Sequence, residues 1–433
     1  MKKQVITITI FMALMPSCFA QDMSLQDAIN IALKNSFDIQ IAKNNQQIST
    51  INNNIGIAGG LPLVTGSITD NEQVSNINQE YSNPANNTKR DNAASNTLSA
   101  GVTGSILLYN GLRVVATKHQ LEVLEQIDKQ KLTSAVQDII SSVMLKYYDI
   151  VRQKSYWQTL QQSIVVSKQK LDIIELQRKV GMANDADLWQ AQLDLNGQIQ
   201  ASKSQELIIE QDKTDLLTFL TLNPDSVIDI KDTITVDKNV TLDSVLAQLQ
   251  NNADVRAADL QIQANRWIEK ETAAQRYPSI RLNAGYNFGR TQNASGFSLL
   301  NQSYGPFVGV SIGIPIYNGS IYKREEEVAK INTQNAALQK DILLRDYKSD
   351  AVKTWQAYTN TLEQLETETQ NNKLSAQLLD LIIKKFQLKQ ATIIDVKQAQ
   401  QSFEESGYRL VNLSYAAKSS EIELKRLLNQ LSF

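Results

Sequence analysis

The chain has 433 residues, 43 lysines and arginines against 45 aspartates and glutamates, and a formal charge of −2. That near balance implies neither a nucleic-acid partner nor docking on an anionic surface. With a single histidine, His119, and a single cysteine, Cys18, a histidine-based triad or a His/Cys metal centre is excluded by counting.

Residues 1–20 have the layout of a secretory signal: Lys2 and Lys3, an apolar stretch from Val5 to Met15, and a small-residue cleavage site at Cys18-Phe19-Ala20. The rival reading is a lipidated Cys18, against which Pro16 stands awkwardly. The apolar stretch is too short to span a bilayer as a helix, and nothing downstream is long and apolar enough to do so.

Beyond the signal the chain repeats itself. Repeat 1 occupies 21–222 and repeat 2 occupies 241–433, each in the order helix, strand, strand, helix, helix, with a connecting segment at 223–240 that Pro224 interrupts. The landmarks recur in order. Leu61-Pro62-Leu63 returns as Tyr277-Pro278-Ser279, and Tyr109-Asn110-Gly111 returns as Tyr317-Asn318-Gly319. Duplication on this scale predicts two similar halves of one architecture.

In repeat 1 a helix is predicted over 28–58, strands over 61–82 and 96–109, a long helix over 112–180 and a returning helix over 187–222. In repeat 2 the helix is 242–276, the strands 278–291 and 304–317, the long helix 321–389 and the return 392–429. Pro62 and Pro278 open strands, and Pro315 falls near a strand end, where a missing donor is tolerated. The long helices are free of proline and would each reach about 100 Å at 1.5 Å per residue. Their apolar residues keep a spacing of seven: Val136, Val143, Ile150, Trp157, Ile164 and Leu171 in one, Leu344, Ala351, Tyr358, Leu365, Leu379 and Phe386 in the other. Sustained heptads mean helices packed side by side as in coiled coils.

The strands alternate. Val308, Val310, Ile312, Ile314 and Ile316 are interleaved with Phe307, Gly309, Ser311 and Gly313, and Ile280 to Phe288 and Leu98 to Leu108 behave alike. Segments of about ten residues with one apolar and one polar face suit a membrane barrel with a wet interior, and also a half-buried soluble sheet. Four strands cannot close a barrel, and an open edge cannot face lipid, so a barrel requires several copies; three would supply twelve strands. The Asn/Ser-rich stretches 71–95 and 291–303 are expected as its outward loops.

These features resemble the TolC-like outer membrane efflux proteins over nearly the whole mature chain. The residues that carry the resemblance are Leu25 to Leu33 with Asn35, the two strand-opening prolines, both Tyr-Asn-Gly turns, Gly181 to Asp187 with Ala191, and Lys389 to Asp395 with Ala399. The resemblance implies an α + membrane β-barrel fold: a homotrimer whose twelve-stranded barrel sits in outer-membrane lipid of a Gram-negative bacterium, with a coiled-coil-like α-barrel in the periplasm. It implies a passive exit duct for efflux or type I secretion, served by a periplasmic adaptor and an inner-membrane transporter, with no catalysis and no cofactor. It also places the periplasmic gate at the turns near Gly181 and Lys389. A threefold ring of Asp395, with Asp187 as its twin, would select and bind cations there, although an acid at a helix N-terminus is equally explained by the macrodipole. Gln398 stands where some relatives carry a second acid, Phe386 where some carry tyrosine, and Lys389 where repeat 1 keeps the glycine. The competing class is an envelope coiled-coil protein with a soluble β cap and no channel activity.

Overall fold

The structure, a computed structural model, describes residues 21–296 and 298–431. The signal segment expected over 1–20, with Cys18 in it, lies outside the described residues. In chain order the elements are β1 (Gln21–Asp22), α1 (Leu25–Asn35), α2 (Phe37–Asn52), β2 (Leu63–Gln79), β3 (Thr88–Tyr109), α3 (Arg113–Lys179), α4 (Asp185–Phe219), β4 (Ile228–Asp229), α5 (Leu242–Gln248), α6 (Ala253–Ala274), β5 (Ser279–Asn293), β6 (Leu300–Gly313), α7 (Ile321–Gln387) and α8 (Ile393–Leu427). Short 3-10 turns follow β2 and α5. No helix among the described residues is long and apolar enough to cross a membrane.

Several boundaries differ from expectation. The helix expected over 28–58 is two helices that meet at Ser36, whose buried hydroxyl accepts from the Ile39 N–H and starts α2. Its twin over 242–276 breaks at Asn252, whose buried side chain donates to the Leu427 carbonyl. The stretch 71–95 is mostly strand rather than loop. β2 runs to Gln79 and β3 begins at Thr88, because the ladder is made of backbone N–H and C=O groups and leaves Asn, Ser and Thr side chains free to project from it. β6 stops at Gly313, so Ile314, Pro315, Ile316 and Tyr317 lie beyond the strand predicted over 304–317. The connecting segment 223–240 contains β4, which pairs in parallel with β1.

The four long strands form one antiparallel sheet in the order β2-β3-β5-β6. The two hairpins share one register: Leu63 opposite Ser105 in the first corresponds to Ser279 opposite Gly313 in the second. Between them, β3 pairs with β5 from Ser95–Asn293 to Tyr109–Ile280, with one irregularity near Leu107. Residues directly opposite share a face. One face therefore presents the row Val64, Gly104, Ala284, Val308 and the row Ile68, Ala100, Phe288, Tyr304. The other presents Thr65, Thr103, Gly285, Phe307 and Thr69, Ser99, Gly289, Ser303, which apart from Phe307 are small or polar. The apolar face is bare: Val308 is 75% exposed and Ile68 79%.

Compact packing divides the chain into two units that cut across both repeats. One comprises 1–41, 133–252 and 345–433; the other comprises 42–132 and 253–344 and contains the sheet. In the first, the heptad positions Val143, Ile150, Ile164, Ala351, Tyr358 and Leu379 are all buried, as the spacing of seven requires. The Tyr147 hydroxyl bonds the Met23 carbonyl and the Asp232 carboxylate, tying the segment after β1 and the one after β4 to α3. In the second, Val123 and Ile127 of α3 pack on Ala264 of α6, flanked by Leu260 and Trp267.

Candidate functional site: the paired helical turns

The turns between α3 and α4 and between α7 and α8 are built alike. In the first, the Gly181 and Met182 N–H groups return to the Arg178 and Gln177 carbonyls; in the second, Lys389 and Gln390 return to Phe386 and Lys385. This is the glycine-type helix stop, which needs one left-handed residue. Gly181 adopts it at φ +74° and Lys389 at φ +60°. Lys389 thus occupies the glycine position with a side chain, and its ammonium reaches Met182 Sδ at 2.5 Å in the neighbouring turn.

Each returning helix then opens with a reciprocal cap. Asn184 accepts from the Asp187 N–H at 2.8 Å and donates its own N–H to the Asp187 carboxylate. Thr392 does the same for Asp395, with its N–H and hydroxyl both on Asp395 Oδ2 at 2.7 and 2.8 Å. Two otherwise orphaned donors are satisfied at each helix start. Those Thr392 bonds hold the Asp395 carboxyl below the usual carboxylate range, against a small opposing effect of burial. Asp395 is exposed, Asp187 half-buried, and Gln398 exposed one turn further along α8.

Phe386 is buried with Ile174 of α3, Leu188 and Ala191 of α4 and Val396 of α8. Its heptad spacing had already assigned it to a helix seam, and the packing follows the heptad. Burying a phenylalanine here contributes roughly 1.5–3 kcal/mol, so the residue clamps four helices together.

Sequence reasoning missed the polar connections behind the turns. Lys170 of α3 is only 1% exposed and meets Asp194 of α4 at 2.7 Å. Lys397 of α8 meets the other oxygen of Asp194 at 3.2 Å, and Gln190 donates to it as well. Burial works to raise the Asp194 pKa, but the Lys170, Gln190 and Lys397 bonds outweigh it and hold it low. One turn further along α8, Gln400 is buried, donates to the Ser163 carbonyl, Ser167 Oγ and Glu404, and accepts from Ser167. None of these contacts has a counterpart in the other repeat, so the duplication could not point to them.

The Tyr-Asn-Gly turns lead from sheet to long helix. Gly111 and Leu112 are left-handed at φ +68° and +67°, and Gly319 and Ser320 repeat this at +68° and +62°. The Asn110 and Asn318 carbonyls accept from Arg113 and Ile321 and begin the helices. Pro62 and Pro278 each sit one residue before a strand, where no ladder donor is needed. Among the described residues no group of three His, Cys, Asp or Glu could hold a metal ion.

Two helices of 67 residues are each joined by a glycine-type turn to one that returns, and the four long strands form a sheet with one apolar face. Residues 246–430 match the family described as Outer membrane efflux protein. The chain is 23% identical over 354 residues, 78% of each sequence, to Outer membrane protein TolC of Vibrio cholerae. Its fold is similar to that of CusC, with a TM-score of 0.76 at 17% identity over 95% of this chain and 93% of that one. VceC of Vibrio cholerae aligns with a TM-score of 0.73 at 18% identity over 93% and 94%. CmeC of Campylobacter jejuni, an outer membrane channel, aligns with 0.76 at 15% over 94% and 87%. The chain accordingly shares the fold of these outer-membrane proteins, and its C-terminal part matches the efflux family.

Proposed function

We propose that the chain is the exit duct of a tripartite efflux or type I secretion system, a homotrimer whose three sheets close one twelve-stranded barrel in outer-membrane lipid. A periplasmic adaptor would engage the helices, and an inner-membrane transporter would supply the energy. The observation that carries this reading is the bare two-faced sheet with both edges unpaired. From Ile280 to Phe288 the outward face stays apolar, roughly 27 Å along the strand at about 3.4 Å per residue. Tilted by about 40°, that spans roughly 20 Å, close to the apolar band of about 25 Å of known barrels. Past the band the same face turns polar at Asp70, Arg290 and Gln302. A soluble β cap would need something to cover Val308, Val310 and Ile312, all at least 60% exposed.

The gate in this reading is the pair of turns. Threefold symmetry would bring Asp395 into a ring whose depressed pKa keeps it charged at neutral pH, favouring cations. Asp187 and Gln398 would flank it. The test is single-channel conductance in a planar bilayer, with and without Asp395→Ala. A cation-selective conductance that loses selectivity or divalent-cation block in the variant is the expected result. Unchanged selectivity reduces Asp395 to a helix cap. No conductance, from protein soluble without detergent, overturns the duct.

A further inference from the structure

We infer that Arg281 is the residue that selects cargo in the sheet section of the duct. Three copies of its guanidinium form a cationic ring that receives the carboxylate, phosphate or sulfonate groups of molecules in passage. The inference rests on the homotrimeric duct proposed above and names the chemistry of its inner wall.

The polar face of the sheet consists of alternate residues on each strand. They run from Leu63 to Ser75 on β2, Ser95 to Leu107 on β3, Ser279 to Asn293 on β5 and Asn301 to Gly313 on β6. All of them are Ser, Thr, Asn, Gln or Gly, apart from Leu63, Leu107, Phe307 and Arg281. Over this span Arg281 is therefore the single ionisable side chain on the wall. Asp70, Glu72 and Arg290 belong to the opposite face. With no second fixed charge to oppose it, one residue sets the sign of the whole surface. A guanidinium also stays charged at any pH a bacterium meets.

The charge has no structural employment. Arg281 is exposed and makes no ion pair or hydrogen bond among the described residues. Its partners across the ladder, Leu107 and Ser311, are uncharged. Two open recesses of about 440 and 700 Å³ adjoin it, so the guanidinium borders space rather than packed side chains. Arg113 lines both recesses as well, but Glu271 neutralises it at 3.1 Å. Arg281 is the third residue of β5, at the end of the sheet where the Tyr-Asn-Gly turns lead into helix. Twelve strands about 4.8 Å apart, tilted by about 40°, close an opening roughly 24 Å across. Its axis is then about 12 Å from the backbone wall, before any side chain extends inward. With screening over about 8 Å, three guanidinium groups govern most of that cross-section. Their planar donor forks match carboxylate and phosphate oxygens, and rings of arginine favour anions in pores.

The test is planar-bilayer conductance of the full chain carrying Asp395→Ala, so that carboxylates at the gate do not compete. Reversal potentials are read across a potassium chloride gradient, and inorganic triphosphate is then added to each chamber in turn. With Arg281 in place the pore should lean toward chloride and be blocked by triphosphate. Arg281→Gln should shift the reversal potential toward potassium and weaken the block roughly tenfold. Arg281→Glu should shift it further, whereas Arg281→Lys should keep both the selectivity and the block. Open pores with the same selectivity and block in all four proteins overturn the inference and leave the duct standing. Absence of triphosphate block with Arg281 in place does the same, independently of how any variant folds. Arg281→Lys behaving as Arg281→Gln does would show that charge is not what the position supplies, and overturns the ring. No conductance from any of them, nor from the chain with Asp395 restored, removes the duct and the ring together.

Discussion

Lys389 sits at a left-handed position that repeat 1 gives to Gly181. A residue with a Cβ is disfavoured there by roughly 1–2 kcal/mol, and its contact with Met182 is exposed. Lys389→Gly is therefore expected to stabilise the turn by about 1 kcal/mol, seen as slower amide exchange over 386–392; faster exchange would show that the lysine contact outweighs the backbone strain. Asp395 carries a pH dependence of known sign. Its folded pKa is depressed, so its contribution to the α8 cap is complete above the unfolded carboxylate value and is lost as pH falls through the lower, folded one. Exchange at the start of α8 should accelerate only in that acidic window, and Asp395→Asn should be insensitive to it. The sequence displayed Asp187 and Asp395 as helix-start acids because the duplication printed them twice; the caps from Asn184 and Thr392 were written beside them at the spacing a capping box requires.

Among the elements, the long helices were the most legible. Proline-free heptads need no knowledge of distant contacts, and the observed helices end within two residues of the expected ends. The broken helices were not legible, because Ser36 and Asn252 act through a buried cap and a bond to Leu427 that spacing cannot reveal. Strand extent was misread for a related reason. Composition marks 71–95 as loop, but a ladder depends on a partner strand, and β2 and β3 are each other's partner. The Lys170–Asp194–Lys397 cluster lay beyond sequence altogether, since it joins three helices and occurs once. It makes a sharp prediction. Asp194→Ala leaves the Lys170 ammonium buried without its counter-ion and should destabilise the region by about 3–5 kcal/mol. Lys170→Met together with Asp194→Leu, an apolar exchange of similar volume, should restore much of that loss, measured as exchange protection over 165–200. In the duct reading the single variant should also raise the open probability, because α4 and α8 lose one of their links.

For the whole molecule, the two faces of the sheet carry different burdens. Val308 lies near the middle of the apolar face, which in the duct reading meets lipid, where an arginine would cost about 2–4 kcal/mol. Val308→Arg should lower the amount of membrane-inserted protein. Ser311→Arg, on the opposite face, should leave insertion intact and shift conductance toward anions. Equal effects at both positions would mean that the faces do not divide lipid from water. The alternation was plain in the sequence; what it could not show is that β3 and β5 meet, since that pairing joins the two repeats and belongs to neither.

The shared hairpin register has a consequence for inheritance. If one geometry serves both inside the chain and between chains, the ring is a single hairpin unit laid down six times, with covalent continuity at every other joint. A half-length ancestor would have possessed every edge needed to close the same ring as six separate copies. Fusion would then have let the internal and external joints drift apart, which leaves Val123 and Ala264 buried together while their twins Ile331 and Ile48 are exposed within one chain.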